Sequence, residues 1–255
     1  MAAMTGDPMD LTYPGGGVRL FVEGNLSASI ELALADGQSH YLAHVLRAQI
    51  GMRLSVFNGR DGEWSAAVER IAKRGVTVRT IARIKDQEGV PDIWLLLAPV
   101  KRTPLDYVVQ KASELGAARI WPVLTRRTIV DRVNGARLRA NAIEAAEQSG
   151  RLCVPQTPEP VALERALDGW DQDRALFFCD EGGDALPLAD ASRLSAAQRF
   201  AILTGPEGGF EPGERAVLRR QIFVTPVTLG PRILRADTAA LAALAILQST
   251  RGDWT

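Results

Sequence analysis

The chain has 255 residues, thirty Lys/Arg against thirty Asp/Glu, and 46% apolar residues. That size suits one large domain or two small ones with a sizeable core. Zero net charge removes any global pull toward nucleic acid or membrane, and Cys153 and Cys179 offer neither a metal-ligand spacing nor a disulfide framework.

Met1 to Gly17 is polar, Gly-rich and without the apolar stretch of a secretory signal, so it is expected to be a flexible arm. From Val18 to Ile84 the pattern is strand-rich. Strands are expected at 19–22, 52–57, 63–71 and 76–81, with Asn58-Gly59-Arg60-Asp61-Gly62 as a hairpin turn and one short helix near 39–47. Residues 18–84 therefore read as a small β-barrel, with Phe57 and Trp64 in its core. Lys85 to Pro91 is charged and Gly/Pro-containing, and 85–91 is taken as a linker.

Beyond it, strands and helices alternate, as in an α/β domain with buried strands. Strands are expected at 93–99, 119–124, 175–180, 199–204 and 224–229. Helices are expected at 104–115, 138–148, 212–221 and 237–248. The longest apolar run, 239–247, is too short to cross a bilayer, and a soluble, cytoplasmic protein with reduced thiols is expected. Residues 99–151 carry ten Lys/Arg against five acids, a local basic stretch in a neutral chain.

Two loops concentrate the chemistry. Leu203-Thr204-Gly205-Pro206-Glu207-Gly208-Gly209-Phe210 and Leu229-Gly230-Pro231-Arg232-Ile233-Leu234-Arg235-Ala236-Asp237-Thr238-Ala239 each run from an apolar strand through Gly/Pro into a helix start. Such loops turn backbone groups toward a ligand instead of pairing them. The first lacks the Gly-Lys-Ser/Thr of a nucleoside-triphosphate loop and the G-x-G-x-x-G of a dinucleotide loop. His40 and His44, four apart, have no third ligand nearby, and no metal site is expected.

These segments resemble the SPOUT class of methyltransferases and, more narrowly, the RsmE family. The resemblance also rests on His40-x-Leu42-x-x-Val45-Leu46-Arg47, on Lys101-Arg102 leading to Lys111-Ala112-x-Glu114-Leu115-Gly116, and on Glu144-Ala145-Ala146-Glu147-Gln148-Ser149-Gly150-Arg151. The family usually has Glu where this chain has Asp237, which keeps the charge but shortens the reach. The resemblance implies a trefoil-knotted methyltransferase domain over 92–255 and a PUA-like, RNA-reading barrel over 18–84. It also implies S-adenosylmethionine as methyl donor, N3 of a uridine in 16S ribosomal RNA of the small subunit as acceptor, and a homodimer.

On that reading Leu203, Thr204, Gly205, Glu207, Gly208 and Gly209 of one loop hold the cofactor. Leu229, Gly230, Ile233, Leu234 and Thr238 of the other complete its site. Arg235 is expected to stabilise charge on the base, or else to contact a phosphate. Glu207 is a candidate base or a loop-orienting group. Asp237 is a catalytic candidate or a first-turn helix acid. Candidate RNA contacts are Arg19, His40, Arg47, Arg60, Lys101, Arg126, Arg127, Gln148 and Arg151. A non-catalytic RNA-binding or assembly factor of the same fold, or a methyltransferase for another RNA position, remain the alternatives.

Overall fold

The structure, a computed structural model, describes residues 17–100, 102–130, 132–180, 182 and 184–254. Residues 1–16 of the arm expected at 1–17, and Lys101, lie outside the described residues. The chain divides into two compact units. One comprises residues through Gly89 together with Ala146–Cys153, the other Val90–Ala145 together with Val154–Thr255.

The first unit holds β1 (Arg19–Phe21), β2 (Glu31–Ala33), β3 (Arg53–Phe57), β4 (Glu63–Ala72) and β5 (Gly75–Lys85). Their order is β1-β3-β4-β5-β2, with β1 parallel to β3 and the other pairs antiparallel. Three register shifts between β4 and β5 coil this long hairpin. Leu20, Leu54, Val56, Ala66, Val68 and Val78 point inward at alternate positions and pack with Leu42. Leu42 comes from a short helix, α1 (Asp36–His40), that runs on as a π-helical turn over Tyr41–Val45. The helix thus begins three residues earlier than 39–47 implied. Only Leu42 of the π-helical turn is buried.

A buried charge pair sits inside this unit. Arg19 Nε donates to Glu63 Oε1 at 2.8 Å and Arg19 Nη2 to Glu63 Oε2 at 3.2 Å. Its remaining donors reach the carbonyls of Ala146 (2.8 Å), Glu147 (2.8 Å) and Arg151 (3.2 Å). The first two carbonyls belong to the last turn of α3 (Gly135–Ser149), where no intrahelical donor is available. All the guanidinium's donors are therefore used within the fold. This corrects the expectation that Arg19 contacts RNA. Its side chain is 6% exposed, and the charge neutralises Glu63 and caps a helix end.

Burial alone would push the Glu63 carboxyl up. The hydrogen bonds from Arg19 and Ser55, with the charges of Arg19 and Lys85, overcome that and hold it below the usual carboxylate range.

The second unit carries one parallel seven-stranded sheet in the order β10-β12-β9-β11-β6-β7-β8. The strands are β6 (Ile93–Leu97), β7 (Arg119–Leu124), β8 (Val161–Ala162), β9 (Arg174–Cys179), β10 (Leu186–Pro187), β11 (Arg199–Thr204) and β12 (Val224–Thr228). The helices between them are α2 (Arg102–Glu114), α3, α4 (Leu163–Leu167), α5 (Leu188–Leu194), α6 (Pro212–Arg220) and α7 (Ala236–Arg251). Ile93, Leu95, Phe177 and Ile202 face one core with α2, α5 and α7. Leu96, Phe178, Ala201 and Leu203 face a second with Leu163 of α4 and Leu218 of α6. The central strands are thus apolar on both faces, as their continuous hydrophobic runs foretold. The chain leaves β12, between β10 and β9, yet α7 returns to pack on β11 and β6.

Glu63→Ala is expected to lower the stability of the full chain by about 3–5 kcal/mol, because it strands a buried guanidinium. Urea denaturation followed by circular dichroism measures this. A loss under about 1 kcal/mol, as for a surface pair, would show the network to be dispensable. Because the folded carboxyl titrates below the free one, its stabilisation is present above the unfolded pKa. It is lost as the pH falls through the folded value.

Candidate functional site

β12, β9 and β11 are neighbours, so their carboxyl ends deliver three loops to one place. There the ends of β9 and β11 and the segment 227–239 enclose a cavity of about 390 Å3, within the ~300–1,000 Å3 usual for small-molecule sites.

The first loop is held down by an aromatic ring. Phe210 is 8% exposed and meets Phe178 edge-on, with centroids 4.9 Å apart. A Cβ at Gly205 would lie 2.6 Å from the Phe210 ring, so only glycine lets the ring close over the end of β11. The Gly209 amide donates to the Pro206 carbonyl at 2.9 Å, and Gly209 adopts a left-handed φ of 66°. α6 then begins with Pro212 in its first turn, and the Glu214 carboxylate accepts the amides of Glu211 (2.9 Å) and Arg126 (2.8 Å).

The second loop leaves β12 through Thr228. Its hydroxyl oxygen accepts the Gly230 amide at 3.2 Å, and Gly230 has φ 112°. The loop enters α7 at Arg235, whose carbonyl accepts the Ala239 amide at 2.8 Å.

Of the residues expected to hold the cofactor, Thr204, Gly205, Glu207 and Gly209 line the cavity from one side. Leu229, Gly230, Ile233 and Leu234 line it from the other, with Arg235 beside them. Three of the expected residues fall outside the cavity wall. Leu203 is fully buried in the sheet core and ends one residue short of the cavity. Gly208 turns its carbonyl to Arg127 Nη1 at 2.7 Å, and its Cα faces the Arg127 side chain rather than the cavity. Thr238 is exposed on α7, outside the cavity wall. Asp237 takes the place of the first-turn acid, the second of its two readings. It too lies outside the wall, and its carboxylate accepts the Thr238 amide at 2.7 Å in the first turn of α7, where an acid suits the helix dipole.

The candidate RNA contacts are dispersed. In the first unit His40 is exposed with its ring centroid 4.9 Å from that of His44, and Arg47 is exposed at a left-handed φ of 52°. Arg60 is exposed and donates to the Glu23 carbonyl and Asn25 Oδ1. Gln148 is exposed, whereas half-buried Arg151 donates from Nε to the Cys153 carbonyl at 2.6 Å. In the second unit Arg126 is exposed and 3.4 Å from Glu164. Its neighbour Arg127 clips the first loop through Gly208.

Sequence reasoning missed Cys179, Asp180 and Arg215, which also line the cavity. The first two close β9, and the rule that ligands gather at the carboxyl ends of parallel strands would have flagged them. Burial pushes the Cys179 thiol up to about 12, so it stays protonated and unreactive at neutral pH. The wall is thus mostly backbone and apolar side chain, with Asp180, Glu207, Arg215, Arg232 and Arg235 as its charged members. It fits a flat heteroaromatic ring held by backbone groups, attached to a charged tail.

Two family models match the chain. The RNA methyltransferase domain covers residues 87–248 and the RNA methyltransferase PUA domain residues 34–81. Ribosomal RNA small subunit methyltransferase E of Rickettsia conorii is 31% identical over 228 residues, 89% of this chain and 93% of the relative. The protein of that name from Synechocystis is 30% identical over 232 residues, 89% of this chain and 76% of the relative. Among solved structures, the methyltransferase E of Neisseria gonorrhoeae bound to S-adenosyl methionine is 30% identical. It superposes with a TM-score of 0.84 over 94% of this chain and 100% of that one. A Legionella pneumophila methyltransferase in complex with the same cofactor gives 0.84 and 30% over 93% and 99%.

Gly205→Ala is expected to destabilise the protein by about 1–3 kcal/mol through overpacking against Phe210. Gly213→Ala in α6, with nothing within 4 Å of the added Cβ, is expected to stabilise by about 0.5–1 kcal/mol. Thermal unfolding of both variants checks this. Equal behaviour would show that the ring does not press on Gly205.

Proposed function

The chain belongs to the RNA methyltransferase family, a SPOUT-type α/β methyltransferase domain with a PUA-like domain, and from that premise we propose that it methylates N3 of one uridine in 16S ribosomal RNA of the small subunit. S-adenosylmethionine is the donor. The observation that carries the reading is the cavity built from the backbone of 204–210 and 228–236, the two stretches in which this sequence most resembles the family. The cofactor bound there supplies an electrophilic methyl group on a sulfonium.

The chain's own residues supply position and charge. Backbone groups of 229–234 would hold the adenine by hydrogen bonds, with Leu229 and Leu234 as apolar wall. Removing the N3 proton spreads negative charge over the flanking uracil carbonyls. Arg235, exposed on the cavity wall, is assigned to stabilise it. Asp180 is taken up by Arg215 and Arg219, which leaves Glu207 as the wall carboxylate to accept the proton. The uridine must leave its stack to reach this site.

Residues 18–84 are assigned to holding RNA, through exposed His40, Arg47 and Arg60, and 92–255 to methyl transfer, with 85–91 as connector. The chain acts as a homodimer in the cytoplasm. Ile233 is 84% exposed on the cavity wall. Ile129, 82% exposed, stands two residues from Arg127, which holds the facing loop. Apolar side chains this exposed around a site call for a cover. Among the described residues no helix is long and apolar enough to cross a membrane.

Incubation with labelled S-adenosylmethionine and small subunits lacking the native mark, followed by nucleoside mass spectrometry, is expected to give N3-methyluridine at one site. Arg235→Ala should cut that transfer about a hundredfold, the scale of losing one charge-stabilising donor, with cofactor affinity little changed. Cofactor binding without transfer would refute the substrate. Absence of both would favour a non-catalytic RNA-binding factor. Light scattering should give a dimer mass for the wild type and a monomer for Ile233→Asp. A dimeric variant would remove this face from the interface.

A further inference from the structure

Asp180 ends β9 with its side chain 2% exposed. Four donors converge on it: Arg215 Nη2 at 2.7 Å and the Gly182 amide at 3.2 Å on Oδ1, Arg219 Nη2 at 2.7 Å and Nε at 2.9 Å on Oδ2. A carboxylate has about four lone-pair sites, so Asp180 has none left for a ligand. Arg219 is further tied to Asp184 at 2.6 and 3.0 Å. Hydrogen bonds to Asp184 and Asp180 hold Arg219 above its usual value, so its charge is committed to these two acids.

Arg215 is in a different position. It spends Nη2 on Asp180, while its Nε is buried and finds no acceptor among the described residues. A charged donor left without an acceptor is costly. The side chain lines the cavity from the β9 side and also borders the outer cleft formed with Gly182 and Arg219. It cannot retreat toward Gly182, where a Cβ would already collide with Nη2. Asp180 is shared with Arg219, and what Arg215 keeps unspent is its buried Nε donor, without an acceptor among the described residues.

Resting on the reading of this cavity as the S-adenosylmethionine site, we infer that Arg215 binds the carboxylate of the cofactor's amino-acid end, with Asp180 and Arg219 as the anchor that fixes its guanidinium. Carboxylate and guanidinium form parallel charge-assisted hydrogen bonds, and a small turn of the guanidinium gives Nε the acceptor it lacks. This orients the cofactor with its adenosine on the backbone of 229–234 and its amino-acid end at the close of β9. Arg235, at the start of α7, is left free for the base.

Calorimetry on the full chain tests this with two probes, S-adenosylmethionine and its decarboxylated form, which keeps the adenosine, sulfonium and amine. The wild type is expected to prefer S-adenosylmethionine about tenfold or more, the scale of one hydrogen bond to a charged group. Arg215→Gln should abolish that preference by weakening only S-adenosylmethionine, and Arg215→Lys should keep part of it. Circular dichroism confirms that the variants fold. If Arg215→Gln weakens both probes equally, or keeps the preference, the assignment is overturned. A kept preference with weaker binding to small ribosomal subunits would make Arg215 a phosphate contact instead. Failure of the wild type to bind either probe would sink the methyl-donor reading itself, whereas equal wild-type affinity for both sinks only the carboxylate contact.

Discussion

The contact of the Phe210 ring with the bare Cα of Gly205 is the constraint on which the site depends. β11 lies between β9 and β6, hydrogen-bonded on both sides along its length, so its backbone has no freedom until Thr204. Beyond that point an ordinary residue would send the chain away from the sheet. With no Cβ to keep it off, Phe210 instead packs on Phe178 and folds 205–209 back over the strand ends. The loop is fixed from within by the Pro206–Gly209 turn and from outside by Arg127 on the Gly208 carbonyl. A loop held at both faces presents its remaining backbone groups in one geometry, which is what a preorganised binding wall requires.

The opposite wall is fixed by topology more than by contacts. β12 sits on the far side of β9, yet α7 must reach β11 and β6 to bury Ala240, Ala243, Leu244 and Leu247. The segment 229–235 is the span that makes this return, and Gly230 at φ 112° turns it. It therefore crosses the strand ends outside the sheet ladder, opposite the Phe210 loop. The cavity is the gap that this return leaves, which explains why its wall is drawn so largely from two loops.

The periodic parts were legible in the sequence. The apolar runs 93–99, 175–180 and 199–204 announced buried strands, found at Ile93–Leu97, Arg174–Cys179 and Arg199–Thr204, and the two Gly/Pro loops both line one cavity. What could not be read was pairing across distance. Arg19 looks like any basic residue on a short strand, but Glu63, 44 positions away, lies opposite it in the fold and the carbonyls of Ala146 and Glu147 complete its shell. Arg215 likewise reads as one more surface arginine of an amphipathic helix until Asp180 is seen behind it. Asp237 reads from its motif as a catalytic group or as a first-turn acid, and at the start of α7 its carboxylate accepts the Thr238 amide, as the second reading expects.

The basic stretch 99–151 shows the same limit in terms of charge. Counted along the chain, ten cations against five acids suggest a phosphate-binding strip. In the fold, Lys111 closes on Glu114 at 2.7 Å and Arg137 grips Asp106 with three contacts of 2.6 to 2.9 Å. Arg119 lies 3.8 Å over the Trp94 ring, which Arg174 also contacts at 3.7 Å, and burial, then the neighbouring Arg174, lowers its pKa from the usual value. Arg151 caps Cys153, Arg126 meets Glu164, and Arg127 holds Gly208. Among the described residues, at least these six are engaged in holding the protein's own structure. The exposed pairs among them, such as Arg126 with Glu164, are worth little in water and can exchange partners for a phosphate at small cost. Arg127 is different, because drawing it onto a phosphate would release the Gly208 carbonyl of the first cavity loop. The charge of this stretch and the geometry of the cavity's first loop therefore meet in one side chain, a coupling that no count of charges along the sequence contains.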